Sequence, residues 1–198
     1  MLQRKMLADL LLAMVLKRGR AGHDVLLETR SDRLRKRALP ISMKPRLYVE
    51  TSVVSYLTAL PSRDLVLAAH QKVTRDWWGT RTQFDLYVSQ FVIDEASAGD
   101  ESAAAARLAA LREAILLDTT PEAVSLAREL VRMGDLPEKA LVDAFHIAIA
   151  AVHGMDYLLS WNCRHIANAK MRGRIETTCR SYGFEPPTIC TPIELAKE

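Results

Sequence analysis

The stretch Arg46-Leu-Tyr-Val-Glu50 decides how the rest of the chain is interpreted. Its apolar and aromatic residues are typical of a buried β-strand, and Thr51 or Ser52 is suited to cap a following helix. Similar short apolar segments recur along the chain, and helical patterns separate them. This alternation predicts an α/β fold in which helices cover both faces of a parallel sheet. The predicted strands are 46–50, 85–89, 115–118, 157–160 and 188–190, and the predicted helices are 65–78, 90–98, 101–114, one opening at Pro121, 138–153 and 162–182.

Composition limits the function classes that need to be considered. The chain has 198 residues, of which 49% are hydrophobic and 26% charged, as expected for one folded domain with an appendage and not for a disordered protein. No uncharged apolar run approaches the roughly 20 residues that a transmembrane helix needs. The three cysteines, Cys163, Cys179 and Cys190, are too few to form a disulfide framework, so we expect a reducing, cytoplasmic location.

The charge is distributed unevenly. Residues 1–42 contain ten lysines and arginines against four acids, a net charge of +6, whereas residues 43–198 contain seventeen against twenty, a net charge of −3. We therefore expect a basic N-terminal extension over residues 1–42, with a short amphipathic helix over 6–18, and a folded domain over residues 43–198. The basic character of the chain does not by itself indicate an evenly basic surface on the domain.

Polar and acidic side chains follow the predicted strands and lie on two of the predicted helices. Because a ligand site in a parallel sheet lies beyond the carboxyl ends of the strands, we expect these side chains to converge there. Hard oxygen ligands of this kind select Mg²⁺ or Mn²⁺, and several carboxylates stay ionised together only when a cation neutralises them. The candidate residues are Glu50, Thr51 and Ser52 after the first strand, Ser160 and Asn162 after the fourth, and Glu95 and Asp143 on helices.

Each of the acids also has a purely structural interpretation. Asp143 would then be a buried acid that is paired with an arginine or caps a neighbouring segment, and Glu95 would be a solvated helix residue, a choice that Asp94 beside it makes less secure. Glu50 would be stabilised by a helix N-terminus. Other types of site are less favoured, because no glycine-rich phosphate loop is present and Cys163, His165 and Cys179 lack zinc-site spacing. His146 fits either a core histidine or a partner of Asp143.

Four segments taken together resemble the motifs of the PIN-domain family, particularly the VapC-like toxins of toxin–antitoxin pairs. Their order and spacing agree with that family over residues 46–192. The resemblance implies a three-layer α/β/α sandwich, a Mg²⁺- or Mn²⁺-dependent endoribonuclease, a homodimer and a cognate antitoxin partner. The four segments are Tyr48-Val-Glu-Thr-Ser-Val-Val-Ser-Tyr-Leu57, Glu95-Ala-Ser-Ala-Gly-Asp100, Asp143-Ala-Phe-His-Ile-Ala148 and Leu158-Leu-Ser-Trp-Asn162.

When this chain is matched to the family residue by residue, the resemblance implies that the catalytic and metal-binding residues are Glu50, Glu95, Asp143 and Asn162. Thr51, Ser52 and Ser160 correspond to supporting polar positions. The chain departs from the family pattern twice, since Glu50 replaces the usual aspartate and Asn162 supplies a neutral carbonyl in place of a charge. These departures leave a second interpretation open, a degenerate member that binds RNA or an antitoxin without cleavage, and a third, an α/β binding module with no metal.

Several expectations concern the RNA and protein partners. Arg164, Lys170, Arg172 and Arg174 form a basic run that is either a solvated face or a site for the RNA backbone. Trp77, Trp78 and Tyr56 supply large apolar side chains for a dimer or antitoxin interface. The tryptophans, Trp161 included, are otherwise expected to pack in the core rather than to stack on bases. Residues 1–42 are expected to be dispensable, with translation starting at Met43, or alternatively to form an arm that binds RNA.

Overall fold

The computed structural model describes residues 44–196, and its strands form one parallel sheet in the order β3-β2-β1-β4-β5. The predicted α/β class is confirmed, because helices flank this sheet as in a three-layer α/β/α sandwich. Every predicted strand is present, and the boundaries of two of them agree to the residue. The strands are β1 Arg46–Val49, β2 Asp85–Ser89, β3 Ile115–Leu117, β4 Tyr157–Leu159 and β5 Thr188–Cys190.

Helices connect the strands along the described part of the chain. Two single 3₁₀ turns, Arg81–Gln83 and Glu138–Ala140, precede β2 and α6 respectively. The helices are α1 Thr51–Thr58, α2 Leu65–Trp78, α3 Gln90–Ala96, α4 Glu101–Ala110, α5 Pro121–Arg132, α6 Leu141–Val152 and α7 Ala169–Ser181.

Strand β1 lies at the centre of the sheet, and this position determines where a site can form. Leu47, Tyr48 and Val49 have no exposed surface, as expected for a strand covered on both faces. The chain proceeds from β1 outward through β2 and β3 and then returns to the other side of β1 to add β4 and β5. Ligand sites in open α/β sheets occur where the order reverses in this way. The carboxyl ends of β1 and β4, with Val49 paired to Leu159, therefore form the expected location.

Two helix starts differ from the sequence prediction for the same physical reason. Helix α1 is preceded by Glu50 as its N-cap residue, without a side-chain cap, because the hydroxyls of Thr51 and Ser52 donate to carboxylates instead. The helix predicted over 162–182 begins only at Ala169, where the Asn168 side chain accepts from the backbone N–H of Lys170. In both places a polar residue that is suited to capping makes a contact across the fold.

The N-terminal extension, membrane-spanning helices and the cysteines are also subjects of sequence predictions. The N-terminal extension over residues 1–42 and its predicted helix over 6–18 lie outside the described residues. Within residues 44–196, no helix combines the length and apolar character that crossing a membrane requires. All three cysteines are free thiols, and Cys179 and Cys190 are buried.

Candidate metal centre

Glu50 lies where β1 ends, and its carboxylate is almost completely enclosed, with 6% of the residue exposed. Its Oε2 accepts hydrogen bonds from two hydroxyls, those of Ser52 and Ser160, the latter at 2.7 Å. Burial raises the pKa of Glu50 above its usual value, although the charge of His146 and the two hydroxyls oppose this effect. The strand end thus holds a carboxylate whose charged form needs a positive partner.

Glu95 joins the same site from α3, whereas its neighbour Asp94 does not. The Thr51 hydroxyl donates to Glu95 Oε2 at 2.7 Å, and His146 Nε2 lies 3.3 Å from the same oxygen. Asp94 accepts instead from the side chain of Gln90, one turn earlier on the exposed side of the helix. Of these two adjacent acids, Glu95, the residue that the sequence analysis selects, therefore contacts Thr51 and His146, and Asp94 does not.

His146 connects the carboxylates to a buried polar network. The residue is 1% exposed, and its Nδ1 lies 2.8 Å from the Tyr48 hydroxyl, which in turn lies 2.6 Å from the Ser89 hydroxyl. Burial lowers the pKa of His146, but the hydrogen bond and charge of Glu95, with the charges of Glu50 and Asp143, raise it overall above its usual value. Burial also raises the pKa of Tyr48, so its hydroxyl keeps its proton.

Together these side chains form a compact set of metal-ligating atoms. One potential ligand atom from each of Glu50, Glu95 and His146 lies within 4.8 Å of the other two. We call this set the Glu50–Glu95–His146 cluster. Its carboxylate oxygens are the ligands that hard divalent cations prefer, and the donor set therefore fits Mg²⁺ or Mn²⁺.

Asp143 belongs to a second group of contacts beside the cluster. Its Oδ1 accepts from Asn162 Nδ2 at 2.9 Å, and its Oδ2 lies 2.7 Å from His165 Nδ1. Because Asp143 and His146 are three residues apart on α6, their side chains share one face of the helix. Asp143 is thus adjacent to the cluster, while both of its oxygens are engaged by the segment that follows β4.

Asn162 presents its amide group to Asp143 and its carbonyl to the backbone. The Asn162 Oδ1 accepts from the backbone N–H of His165 at 3.2 Å, and the Ser160 hydroxyl accepts from the backbone N–H of Asn162 at 2.9 Å. The oxygen expected to face a metal is therefore occupied locally. Sequence reasoning missed a role for His165 in the site. Its partner Asp143 is 22 positions earlier in the sequence, and no local sequence pattern indicates this contact.

The basic residues after Asn162 do not all lie on one surface. Arg164 precedes α7 and is exposed, as are Lys170 and Arg174, which are four residues apart on the helix and so share a side. Arg172 lies on the side of Ile175, which is buried, and its own Nε is enclosed and has no hydrogen-bond partner among residues 44–196.

The tryptophans pack mainly within the fold. Trp161 is 8% exposed, stacks on His70 at 4.1 Å between ring centroids, and donates its indole N–H to Thr74. Trp77 is 1% exposed, so the expectation that it supplies an interface side chain is wrong, because it fills the core beneath α2. Trp78 is half-buried, and Arg81 lies over its ring at 5.2 Å.

Comparison with known proteins agrees with this geometry. A family model described as PIN domain matches residues 47–168, more than half of the chain. The matched segment covers β1 from Leu47 onward, α3, α6 and β4, and it contains Glu50, Glu95, Asp143 and Asn162. No curated protein matches the chain.

Proposed function

The chain belongs to the PIN-domain family, and we propose that it is a metal-dependent endoribonuclease that hydrolyses phosphodiester bonds in single-stranded or loop RNA. PIN domains are generally metal-dependent nucleases, and the chain carries a cluster of metal-ligating atoms at the switch point of its sheet. That cluster is the observation that carries the proposal.

In this proposal Glu50, Glu95 and Asp143 hold a Mg²⁺ or Mn²⁺ ion, with Asn162 as an outer ligand. When bound there, such an ion would supply a water of lowered pKa and positive charge for the scissile phosphate. The hydroxyls of Thr51, Ser52 and Ser160 orient the carboxylates, which limits the movement needed when the ion binds. Exposed Arg164, Lys170 and Arg174 bind the RNA backbone near the site, with Arg172 less accessible to it.

Substitution of the acids tests the proposal directly. We expect Asp143→Asn to reduce Mg²⁺-dependent RNA cleavage by at least about 100-fold, because removing one of the proposed carboxylate ligands weakens ion binding. Asp94→Asn is the matched control, since Asp94 contacts Gln90 and lies outside the cluster. Cleavage of a labelled RNA is measured with Mg²⁺, with Mn²⁺ and with EDTA. Cleavage by Asp143→Asn at the parent rate would show that Asp143 has no such role.

A second candidate function is that of a degenerate PIN domain that binds RNA or an antitoxin without cleavage. The neutral Asn162, whose amide donates to Asp143, favours this alternative because it leaves the centre with one charge fewer. Metal binding without any turnover of RNA would support it over the nuclease.

The biological setting proposed here follows from the resemblance to VapC-like toxins. We propose a cytoplasmic toxin that forms a homodimer and is inhibited by a cognate antitoxin. Its three free cysteines suit a reducing compartment. Exposed apolar side chains at Leu60, Leu65 and Val66 offer a surface for protein contact. Light scattering of the purified protein tests the dimer, and co-purification with the product of an adjacent gene tests the antitoxin.

A further inference from the structure

We propose that His146 is a nitrogen ligand of the divalent cation, binding through Nε2 beside Glu50 and Glu95, and that the centre consequently favours Mn²⁺ over Mg²⁺. The inference rests on the metal site of the proposed function. It assigns to the centre an imidazole ligand in addition to the carboxylates.

The position of Nε2 is the first observation that supports this assignment. The atom lies 3.3 Å from Glu95 Oε2, and the ligand atoms of Glu50, Glu95 and His146 all lie within 4.8 Å of one another. In an octahedral ion with ligands at about 2.1 Å, adjacent ligand atoms are about 3 Å apart. Small side-chain movements are therefore enough to place Nε2 and Oε2 on one cation.

The other ring nitrogen is held as a metal-binding histidine requires. Histidine ligands almost always give the N–H of their second nitrogen to a fixed acceptor, which selects the tautomer and orients the ring. Nδ1 of His146 lies 2.8 Å from the hydroxyl of Tyr48, and that hydroxyl lies 2.6 Å from Ser89. Tyr48 and Ser89 have no exposed surface, so neither is free to turn away. When a cation displaces the proton between Nε2 and Glu95, the remaining proton on Nδ1 points at Tyr48 and the lone pair of Nε2 faces the carboxylates.

The competing interpretation is a core histidine that is protonated and paired with Glu95. A charge-assisted N–H···O hydrogen bond is normally about 2.7–2.9 Å long. His165 and Asp143 have this spacing, at 2.7 Å, whereas His146 and Glu95 are 3.3 Å apart. The two histidines thus differ: His165 is closely paired with its acid, and His146 is separated from its acid by a distance that suits a shared ion.

The choice of cation follows from the chemistry of the ligands. Carboxylate and water oxygens accept Mg²⁺ and Mn²⁺ alike, but imidazole is a poorer ligand for the hard Mg²⁺ than for a first-row transition ion. A centre with one imidazole and two carboxylates should therefore bind Mn²⁺ more tightly than Mg²⁺, and most of this difference should depend on His146.

Pulsed electron paramagnetic resonance of the Mn²⁺-loaded full-length protein tests the ligand without relying on activity. Protein grown with unlabelled histidine should show a ¹⁴N coupling to Mn²⁺, and protein grown with ¹⁵N-histidine should show the ¹⁵N frequencies in its place. This experiment needs no substitution. A Mn²⁺ signal without nitrogen coupling, or failure to bind Mn²⁺ at millimolar concentration, would overturn the inference.

Two variants assign the coupling to one histidine. His146→Gln should lose the nitrogen coupling and bind Mn²⁺ about tenfold or more weakly by calorimetric titration, with a smaller change for Mg²⁺. His165→Gln is the matched control and should retain the coupling. Loss of the coupling in His165→Gln but not in His146→Gln would overturn the assignment. If His146→Gln does not fold, the ¹⁵N-labelled parent still shows whether a histidine binds the Mn²⁺ ion, and His165→Gln still shows whether that histidine is His165.

The outcome is separable from that of the proposed nuclease. RNA cleavage with Mn²⁺ bound only by oxygen ligands would refute the role of His146 and leave the nuclease intact. Nitrogen-coupled Mn²⁺ in a protein that cleaves no RNA would support the role of His146 and refute the nuclease.

Discussion

Glu50 is placed where its charge is costly in the absence of a cation. The residue is buried, and its pKa is raised mainly by burial. Among the described residues, its ionised form is favoured by the Ser52 and Ser160 hydroxyls and by the neighbouring His146. Hydroxyls are neutral donors and compensate desolvation only in part. A bound cation would supply the missing compensation, so a substitution at Glu50 should affect stability and metal binding in opposite directions.

We expect Glu50→Gln to raise the melting temperature of the metal-free protein at pH 8. A raised pKa means that the folded state binds the proton more tightly than the unfolded chain does. The Glu50 carboxyl therefore contributes stability below about pH 4.5, and this contribution is lost as the pH rises through its folded pKa. Glutamine resembles the protonated form and avoids this loss, and each kcal/mol corresponds to roughly 2–4 °C.

Thermal melts in EDTA at pH 8 and pH 5 measure this effect, and the difference between variant and parent should shrink at the lower pH. Glu129→Gln provides a control of opposite sign. Arg132 lowers the pKa of Glu129, so the ionised Glu129 carboxylate stabilises the folded state at neutral pH. This contribution to stability is small, because the pair is at the surface, and it is lost as the pH falls. Equal melting temperatures for Glu50→Gln and its parent at both pH values would contradict the prediction.

Asn162→Asp should tighten Mn²⁺ or Mg²⁺ binding and destabilise the metal-free protein. The substitution replaces the amide that donates to Asp143 with a second carboxylate, so charge repulsion adds to the loss of a hydrogen bond. An added cation relieves that repulsion and gains a charged oxygen ligand. Calorimetric titration and melts with and without EDTA measure the two effects.

Unchanged metal affinity in Asn162→Asp would mean that residue 162 only orders the segment after β4, where Asn162 accepts from His165. Asn162→Ala is the control, because it removes the donor without adding a charge. It should lower stability without increasing metal affinity.

The acids at this site are predictable from the sequence, but not all of their contacts are. Glu50 follows an apolar strand segment, and Glu95 follows the apolar run Phe91-Val-Ile on a helix, so both positions stand out in the sequence. The pairing of Asp143 with His165 depends on how the segment after β4 crosses the end of α6, and that path is a property of the whole fold. Local rules assign Thr51 to capping because such rules cannot anticipate an acceptor, Glu95, that a distant helix supplies.

At the scale of elements, the end of α6 shows how local chemistry sets a boundary. Gly154 adopts a φ of +63°, the backbone N–H of Met155 bonds to the carbonyl of Ala150, and that of Gly154 bonds to Ala151. These are the two hydrogen bonds of a Schellman motif. The motif ends α6 and directs the chain into β4, so Gly154 fixes where Asp143 and the residues after β4 meet.

We expect Gly154→Ala to lower the free energy of unfolding by about 1 kcal/mol, a fall of roughly 2–4 °C, because alanine is strained at positive φ. Gly173→Ala is the matched control within α7. Gly173 has no positive φ and open space around an added Cβ, so alanine should stabilise the helix by about 0.5–1 kcal/mol. Chemical denaturation measures the free energy of unfolding of both variants and of the parent protein. A Gly154→Ala variant as stable as the parent would contradict the role of this turn.

Element boundaries are predictable where composition changes abruptly and uncertain where capping residues are repeated. Strand 85–89 and helix 65–78 have the limits predicted from the sequence, since turn residues and Asp64 bracket them. The predicted helix of 162–182 is too long because Asn162 and Asn168 are both good caps, and only the contact of Asn162 with Asp143 shows which one begins α7.

At the scale of the molecule, the site exists only when the sheet is complete around β1. Glu50 directly follows β1, and Glu95 and His146 lie on α3 and α6. The contacts that hold them join residues 44 positions apart (Thr51 and Glu95), 51 apart (Glu95 and His146) and 110 apart (Glu50 and Ser160). Such contacts form only after the elements have packed. Metal binding should therefore stabilise the folded domain as a unit, by an amount that grows with the logarithm of cation concentration.

Residues 1–42 are, we propose, dispensable for both fold and activity. All the strands of the described sheet, the Glu50–Glu95–His146 cluster and the family match lie within residues 46–190. A chain that starts at Met43 should therefore keep the melting temperature and cleavage rate of the full chain, within the error of each measurement.

The alternative, that the ten lysines and arginines of residues 1–42 form an arm that binds RNA, predicts a different result. Each phosphate that the arm neutralises would add about 0.7 to the slope of log affinity against log salt on single-stranded RNA, and deleting the arm would remove that share. RNA binding by the catalytically impaired Asp143→Asn protein, with and without residues 1–42, is therefore measured over a range of salt concentrations. An unchanged slope supports dispensability, because it means that residues 1–42 neutralise no phosphates. A shallower slope identifies an RNA-binding arm, and a lowered melting temperature identifies a segment that stabilises the domain.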